Sequence, residues 1–404
     1  MFGRFALALL LLTARPPDRL TAQDSLPRDA RWRADLRFLA DSLAARHVDA
    51  FKYVTRDSFA GAVAALDRDV PRLTDTQIQL RLARIGALIR DGHTNVQQPA
   101  YTVRWPVSTL LTDSGAHIVA STEAYDSLLG RKVVAVNGHP IAVVMDSLRQ
   151  YLSHENEYGW RTRAGFMLLR PQALRDAGLG TDTAATELTL EGPAGPSRAM
   201  LTSVPVQNSG VRRPPSAPVP LWRQQANLRY WFRYLAESRT LYIAYNQCNN
   251  FEAFRAMTDS VVALLDSTPV VKVVVDLRNN SGGNSRVIAP LLSALEARTR
   301  SRPVALFAVI GRATFSSGMQ AALDLKRRGA TLVGEPIGER PNTFGEVRSF
   351  RLPHSSVEVT YSTRFFRNLP GEDPDAVYPD VSIPPTAQEQ IAGRDGVMEW
   401  ITRR

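Results

Sequence analysis

Ser316 lies in Ala313-Thr314-Phe315-Ser316-Ser317-Gly318-Met319-Gln320, between a β-rich run, Pro303 to Ile310, and a helical pattern, Met319 to Arg328. A serine at a strand-to-helix junction has its hydroxyl at the positive end of a helix dipole, beside N–H groups without intrahelical partners. Acyl transfer needs such a place, because it requires a nucleophile and donors for the oxyanion it creates. The structural alternative is a serine N-cap.

Other segments could supply the remaining chemistry. Val275-Asp276-Leu277-Arg278-Asn279-Asn280-Ser281-Gly282-Gly283-Asn284 is a strand ending in a polar loop, whose paired glycines can aim N–H groups into a site. Arg278 is a candidate substrate contact there. The Walker spacing with its Lys-Ser/Thr is missing, so a phosphate loop fits poorly, and an ordinary strand-to-helix connection is the plain alternative. In Ile89-Arg90-Asp91-Gly92-His93-Thr94, His93 follows a glycine at a helix exit, and an imidazole suits proton transfer near neutral pH. Asp91 is close in sequence but need not be its partner. His47, His117, His139, His154 and His354 sit in no comparably distinctive segment. The punctuated loop from Gly334 to Glu346 would suit one rim of a cleft, with Gly338 and Arg340 as candidate substrate contacts. Gly371-Glu372-Asp373-Pro374-Asp375 could orient a histidine or bind a substrate amine, or be an acidic solvent-facing loop.

These segments need a scaffold, and 404 residues suggest two or three domains. Hydrophobic content of 44% with 22% charged residues is that of a globular protein with a large core. The net charge of +10 is carried by scattered arginines without a basic patch, which argues against a nucleic-acid partner. Cys248 is the single cysteine, so neither an intramolecular disulfide nor a cysteine zinc cluster can form, and no cysteine near the start offers a lipid anchor. Arg4, the apolar run Phe5 to Leu12 and the small residues Thr21-Ala22 read as a signal peptide over 1–23, too short to span a bilayer. A periplasmic or secreted protein without stable membrane insertion is the expectation. The sequence does not give an oligomeric state.

Residues 24–98 read as three short helices forming a small bundle. Apolar residues recur at helical spacing from Trp32 to Ala44 and from Ser58 to Val70. The third helix runs from Thr76 to Arg90, with Asp75 as its cap. Residues 99–205 turn β-rich, with strands at Tyr101 to Val107, His117 to Ala120, Lys132 to Val136 and Thr186 to Leu190, and a helix from Val143 to Leu152. The stretch Gly130 to Ile141, with its Asn137-Gly138 turn, resembles the strand–turn of PDZ domains. A Pro- and Ser-rich crossing follows at 203–220. From 206 to 404 strands and helices alternate, which predicts an α/β layered domain with a buried sheet.

Taken together, Asp91-Gly92-His93-Thr94, Asp276 to Gly283, Thr314-Phe315-Ser316-Ser317-Gly318, Gly334-Glu335-Pro336 and Pro379-Asp380-Val381 resemble the C-terminal-processing and tricorn-core serine peptidases. That superfamily includes the interphotoreceptor retinoid-binding modules. The resemblance implies a crotonase-like α/β core with an N-terminal helical bundle and a PDZ-like β-rich insert. It implies Ser316 as nucleophile and His93 as base. Backbone N–H groups of Ser317 and of Gly282 or Gly283 would form the oxyanion hole. The acid that supports the base would be Asp373 by spacing, with Glu372 and Asp375 as alternatives. No metal or organic cofactor is implied, and the partner is a peptide or protein substrate. The lysine of the family's Ser–Lys branch would fall near Arg340 and Pro341. Arginine cannot act as a base, and Lys326 is only ten positions after Ser316 in the next helix. Met319 stands where many relatives carry an acid. The rival readings are a catalytically silent peptide- or ligand-binding protein on the same scaffold and an acyl-CoA hydratase or isomerase.

Overall fold

The computed structural model describes residues 26–193, 195–301 and 304–404. The expected signal peptide, 1–23, lies outside them. The fold is mixed α/β, as the sequence predicts. A six-stranded core sheet runs in the spatial order Tyr230–Leu235, Thr240–Tyr245, Lys272–Asp276, Ala305–Ile310, Thr331–Gly334 and Val381–Ser382. Tyr230–Leu235 joins antiparallel and the other strands pair in parallel. Both faces are covered, so Thr240–Tyr245 and Lys272–Asp276 are buried at every position. Alternate residues divide between the faces. Leu241, Ile243, Val273 and Val275 pack beneath the helices Phe251–Ser267, Ala289–Ser301 and Ser317–Arg327. Tyr242, Ala244, Val274 and Phe307 pack against Val397, Met398 and Ile401 of the C-terminal helix, Gly396–Arg403.

A second sheet is built from Val107–Thr112, Gly115–Ser121, Lys132–Val136, Ala185–Glu191 and Ser197–Thr202. Its apolar face shares a core with Ile141–Arg149 and with two helices not anticipated from the sequence, Glu157–Leu168 and Pro171–Asp176.

The N-terminal helices are Arg28–Arg46, Arg56–Asp69 and Asp75–Ala87. The third starts from Thr74 rather than Asp75: the Thr74 hydroxyl accepts the Gln77 N–H, and the Gln77 side chain accepts the Thr74 N–H. The three do not close a core by themselves. Leu36, Leu39, Ile78 and Leu82 share one with Phe350, Leu352, Val357 and Val359, which lie on or between the strands of a long hairpin, Asn342–Arg351 and Glu358–Arg367. The chain leaving the third helix adds a short strand to it, pairing Asn95 with Thr360 and Val96 with Val359. Among the described residues, no helix is long and apolar enough to cross a membrane.

Candidate active site

The end of the core strand Ala305–Ile310 turns directly into the Ser316 segment. Within that turn the Thr314 hydroxyl donates to the Leu277 carbonyl at 2.9 Å, and the Phe315 N–H donates to the Asn280 carbonyl at 2.9 Å. The two chemistry-bearing loops are therefore laced together. Ser316 adopts φ 53° and ψ −124°, a positive φ that costs a non-glycine residue strain. Its side chain makes no capping hydrogen bond to the helix it precedes. This is not the geometry of an ordinary serine cap, whose backbone is extended and whose oxygen accepts from the first turn.

Gly282 and Gly283 permit the approach of the second loop. Both have positive φ, 105° and 132°. A Cβ on Gly282 would lie 2.7 Å from the Ser316 Cβ, and one on Gly283 would lie 2.2 Å from the Cys248 carbonyl oxygen. The Gly282 N–H is already given to Asn280 Oδ1 at 2.9 Å. The N–H groups of Gly283 and Ser317 meet no acceptor among the described residues, and both residues line the same cleft. Of the expected donors, Gly282 is thus committed elsewhere, and Gly283 and Ser317 remain open.

His93 reaches this cleft because Asn95–Val96 pairs with the hairpin. The Thr360 hydroxyl donates to the His93 carbonyl at 2.8 Å and fixes the turn. The imidazole lies against Phe315, with ring centroids 4.5 Å apart. His93, Phe315, Ser316, Ser317 and Gly283 line one cleft of about 730 Å³, walled further by Phe344 and Phe366. The His93 side chain is 9% exposed, and neither ring nitrogen has a hydrogen-bond partner among the described residues.

Three buried carboxyls gather behind that ring. Nδ1 lies 3.6 Å from Asp91 Oδ1 and 3.7 Å from Glu339 Oε1. Asp91 Oδ2 accepts from the Thr94 and Ser362 hydroxyls and faces His47 Nε2 at 3.1 Å, while Oδ1 accepts the His93 N–H. The Asp49 N–H points at His47 Nδ1, which leaves Nε2 as the donor to Asp91. Burial alone would raise the Asp91 pKa, but the hydrogen bond from His47, the neighbouring His93 and the Thr94 hydroxyl hold it far below the usual carboxylate range. Glu339 accepts the Ser316 N–H, and Glu155 accepts the N–H groups of Gly92 and Arg340. Burial and the charge of Asp91 push Glu155 up to about 8. Burial and the neighbouring Glu155 push Glu339 well above the ordinary range. The buried Arg163 guanidinium is the nearby cation, tied to the Gly92 and Ser153 carbonyls and lying over Phe315.

Several expected residues do different work. Asp373 pairs with Arg340 at 3.2 Å and accepts from Asn342, so the acids facing His93 are Asp91 and Glu339. Glu372 offers its carbonyl to Asn342, and Asp375 accepts from the Tyr378 hydroxyl. Arg278, Gly338 and Arg340 do not line the cleft. Arg278 is clamped between Asp276 and Asp395, and Gly338 is packed against the Arg312 carbonyl. Cys248 is a buried thiol against Asn280, its pKa raised by burial, which makes it a poor nucleophile. Sequence reasoning missed Glu155 and Glu339. The segment holding Glu339 stood out only as a cleft rim, and Glu155 carried no local signal.

Asp91, His93 and Glu155 bring possible ligand atoms within 4.8 Å of one another. Asp91 is saturated by donors, however, so a metal there would have to displace the hydrogen bonds that hold the turn.

No protein-family model matches the chain, and no curated protein matches it. Solved structures do. Mature CPAF complexed with lactacystin is 14% identical, with a TM-score of 0.64 over 93% of this chain and 98% of that one. A tricorn protease matches over 93% of this chain and 36% of that one, at 11% identity and a TM-score of 0.45. The photosystem II D1 C-terminal processing protease matches over 92% and 99% at 15% identity, with a TM-score of 0.39. The fold shared with mature CPAF runs through nearly the whole chain.

Proposed function

We propose that the protein is a serine peptidase that cleaves peptide bonds through a Ser316–His93 acyl-enzyme, as a secreted or periplasmic endopeptidase of the carboxyl-terminal-processing type. The observation that carries this reading is the strained Ser316, which shares one cleft with an unpartnered His93 ring and two open N–H groups.

In the mechanism, His93 Nε2 takes the Ser316 proton as Oγ attacks the substrate carbonyl. The oxyanion rests on the N–H groups of Gly283 and Ser317. The imidazolium then protonates the leaving amine, and water activated by the neutral imidazole frees the acyl group. Nδ1 faces Asp91 and Glu339 throughout, which favours the cationic ring in the transition state. We read residues 24–98 as the helical part that carries the base, 99–205 as the PDZ-like module and 206–404 as the crotonase-like core. The 99–205 module suits an extended peptide added to a sheet edge.

The test is labelling of the purified protein with a fluorophosphonate, mapped by mass spectrometry. A tag on Ser316 that disappears in His93→Ala supports the reading. A folded protein that takes no tag overturns it in favour of a silent binding scaffold.

A further inference from the structure

The three carboxyls behind His93 are not equivalent. Asp91 has a donor for each of its hydrogen bonds, so it needs no proton of its own. Glu155 and Glu339 converge on a single hydroxyl. Thr343 Oγ1 lies 2.9 and 3.0 Å from the two oxygens of Glu155 and 3.1 Å from Glu339 Oε1. A hydroxyl has one proton to give. Were both glutamates ionised, Thr343 could answer one of them, and its lone pairs would face the other in a water-poor site. A proton on one glutamate completes the set: one carboxyl donates to Oγ1, and Oγ1 donates to the other.

The geometry points to a proton held in common by Glu155 and Glu339 through Thr343, with Glu339 in this shared state positioning both the Ser316 backbone and the His93 ring. The inference rests on His93 being the base. Glu339 touches both halves of the site, because it accepts the Ser316 N–H and its Oε1 faces Nδ1. With one proton shared, Asp91, the pair and Arg163 leave the pocket a single negative charge when His93 is neutral, and none when it is the imidazolium. With both glutamates ionised a surplus negative charge would persist beside the serine. The raised pKa of each glutamate accords with this state. The charged and titratable groups around the pair are His47 and Tyr53 before the second helix, Arg90, Asp91 and His93 after the third, Arg163 on Glu157–Leu168, and Arg340 and Asp373 in the core. Glu339 is a positioning residue, and Asp91 is the ionised partner of the base.

The experiment compares Glu339→Gln, Glu339→Ala, Glu155→Gln and Asp91→Asn by the rate of phosphonate labelling at Ser316 and by thermal unfolding against pH. An amide mimics a neutral carboxyl, so the two Gln variants should label within about tenfold of the parent. Converting an ionised partner of the base to an amide costs up to about 10⁴-fold, so Asp91→Asn should be far slower, and Glu339→Ala should also lose at least a hundredfold. Unfolding supplies a readout that needs no activity. A buried carboxyl raised to about 8 keeps a proton that the unfolded chain releases near its ordinary 4.5, so the parent loses stability as pH rises between those values. The Gln variants should flatten that fall. Glu339→Gln labelling as slowly as Glu339→Ala, or an unchanged pH dependence in both Gln variants, would overturn the shared proton. If the parent itself takes no label at Ser316, the peptidase reading fails, and the unfolding profiles still decide the state of the pair.

Discussion

Two clefts draw their linings from the same pair of loops. The Ser316 cleft takes Ser281, Gly283, Phe315 and Ser316 from them, and a second cleft of about 380 Å³ takes Arg278, Asn279, Arg312 and Ala313. In the second cleft the charges are answered. Arg278 bonds Asp276 and Asp395, and Arg312 bonds Glu335 and the Leu111 carbonyl. In the first they are not: both His93 nitrogens and the N–H groups of Gly283 and Ser317 lack partners among the described residues. The second cleft is thus braced by ion pairs, whereas the first keeps open donors and an imidazole without a hydrogen-bond partner. Arginine beside a glycine-rich loop is therefore evidence for a brace as much as for a substrate contact, and Arg278 is the case in point.

The contrast can be broken most directly at the unpartnered side. Under the proposed mechanism, Ser316→Ala and His93→Ala should each lower turnover by about 10⁶-fold, the scale of nucleophile and base losses in subtilisin, with the fold retained by circular dichroism. Near-parental turnover in either would remove the site. Gly282→Ala drives a methyl group into Ser316 at a positive φ, and should reduce kcat by about 10²- to 10³-fold with KM little changed, comparable to loss of an oxyanion donor. A rise in KM alone would mean that the loop positions substrate rather than the nucleophile.

On the braced side, Arg278→Met leaves Asp276 and Asp395 buried without their cation. It should cost about 3–5 kcal/mol in denaturant unfolding while the surviving folded protein keeps its KM. A large KM change at unaltered stability would return Arg278 to substrate binding. The smallest effect is expected at the rim: Phe366→Ala should raise KM for peptides by up to about tenfold, in line with about 1 kcal/mol of lost apolar contact, and leave kcat in place.

The legible parts of the site are those whose chemistry is local. The Ser316 junction and the Gly282-Gly283 pair each carry their reason within a few residues, and the structure brings both into one cleft with His93. The core strands were legible because a buried parallel sheet writes itself as runs such as Val273-Val274-Val275. The hairpin Asn342–Arg351/Glu358–Arg367 was not. Its first strand carries Glu346 at φ 56° and an exposed stretch from Glu346 to Ser349, and in sequence it reads as the rim of a loop. Glu155 and Glu339 were hidden for a different reason. Their meaning comes from Thr343 and from each other, and Glu155 and Thr343 are 188 residues apart. Asp373 was placed by spacing alone, and spacing does not reveal that Arg340 and Asn342 claim it.

The pairing of Asn95 with Thr360 has a consequence for the life of the nascent chain. His93 emerges early in synthesis, but the strand that seats it is made late. A chain halted before the hairpin holds His93 without the strand that fixes its turn, and Glu339 and Thr343 arrive only shortly before Glu358–Arg367. Because the contacts that seat His93 span more than 260 residues, they form late, after the local helices and strands. Under the proposed mechanism, activity is thereby tied to synthesis of the Glu358–Arg367 strand, because a chain ending before residue 358 would carry Ser316 without the strand that seats His93.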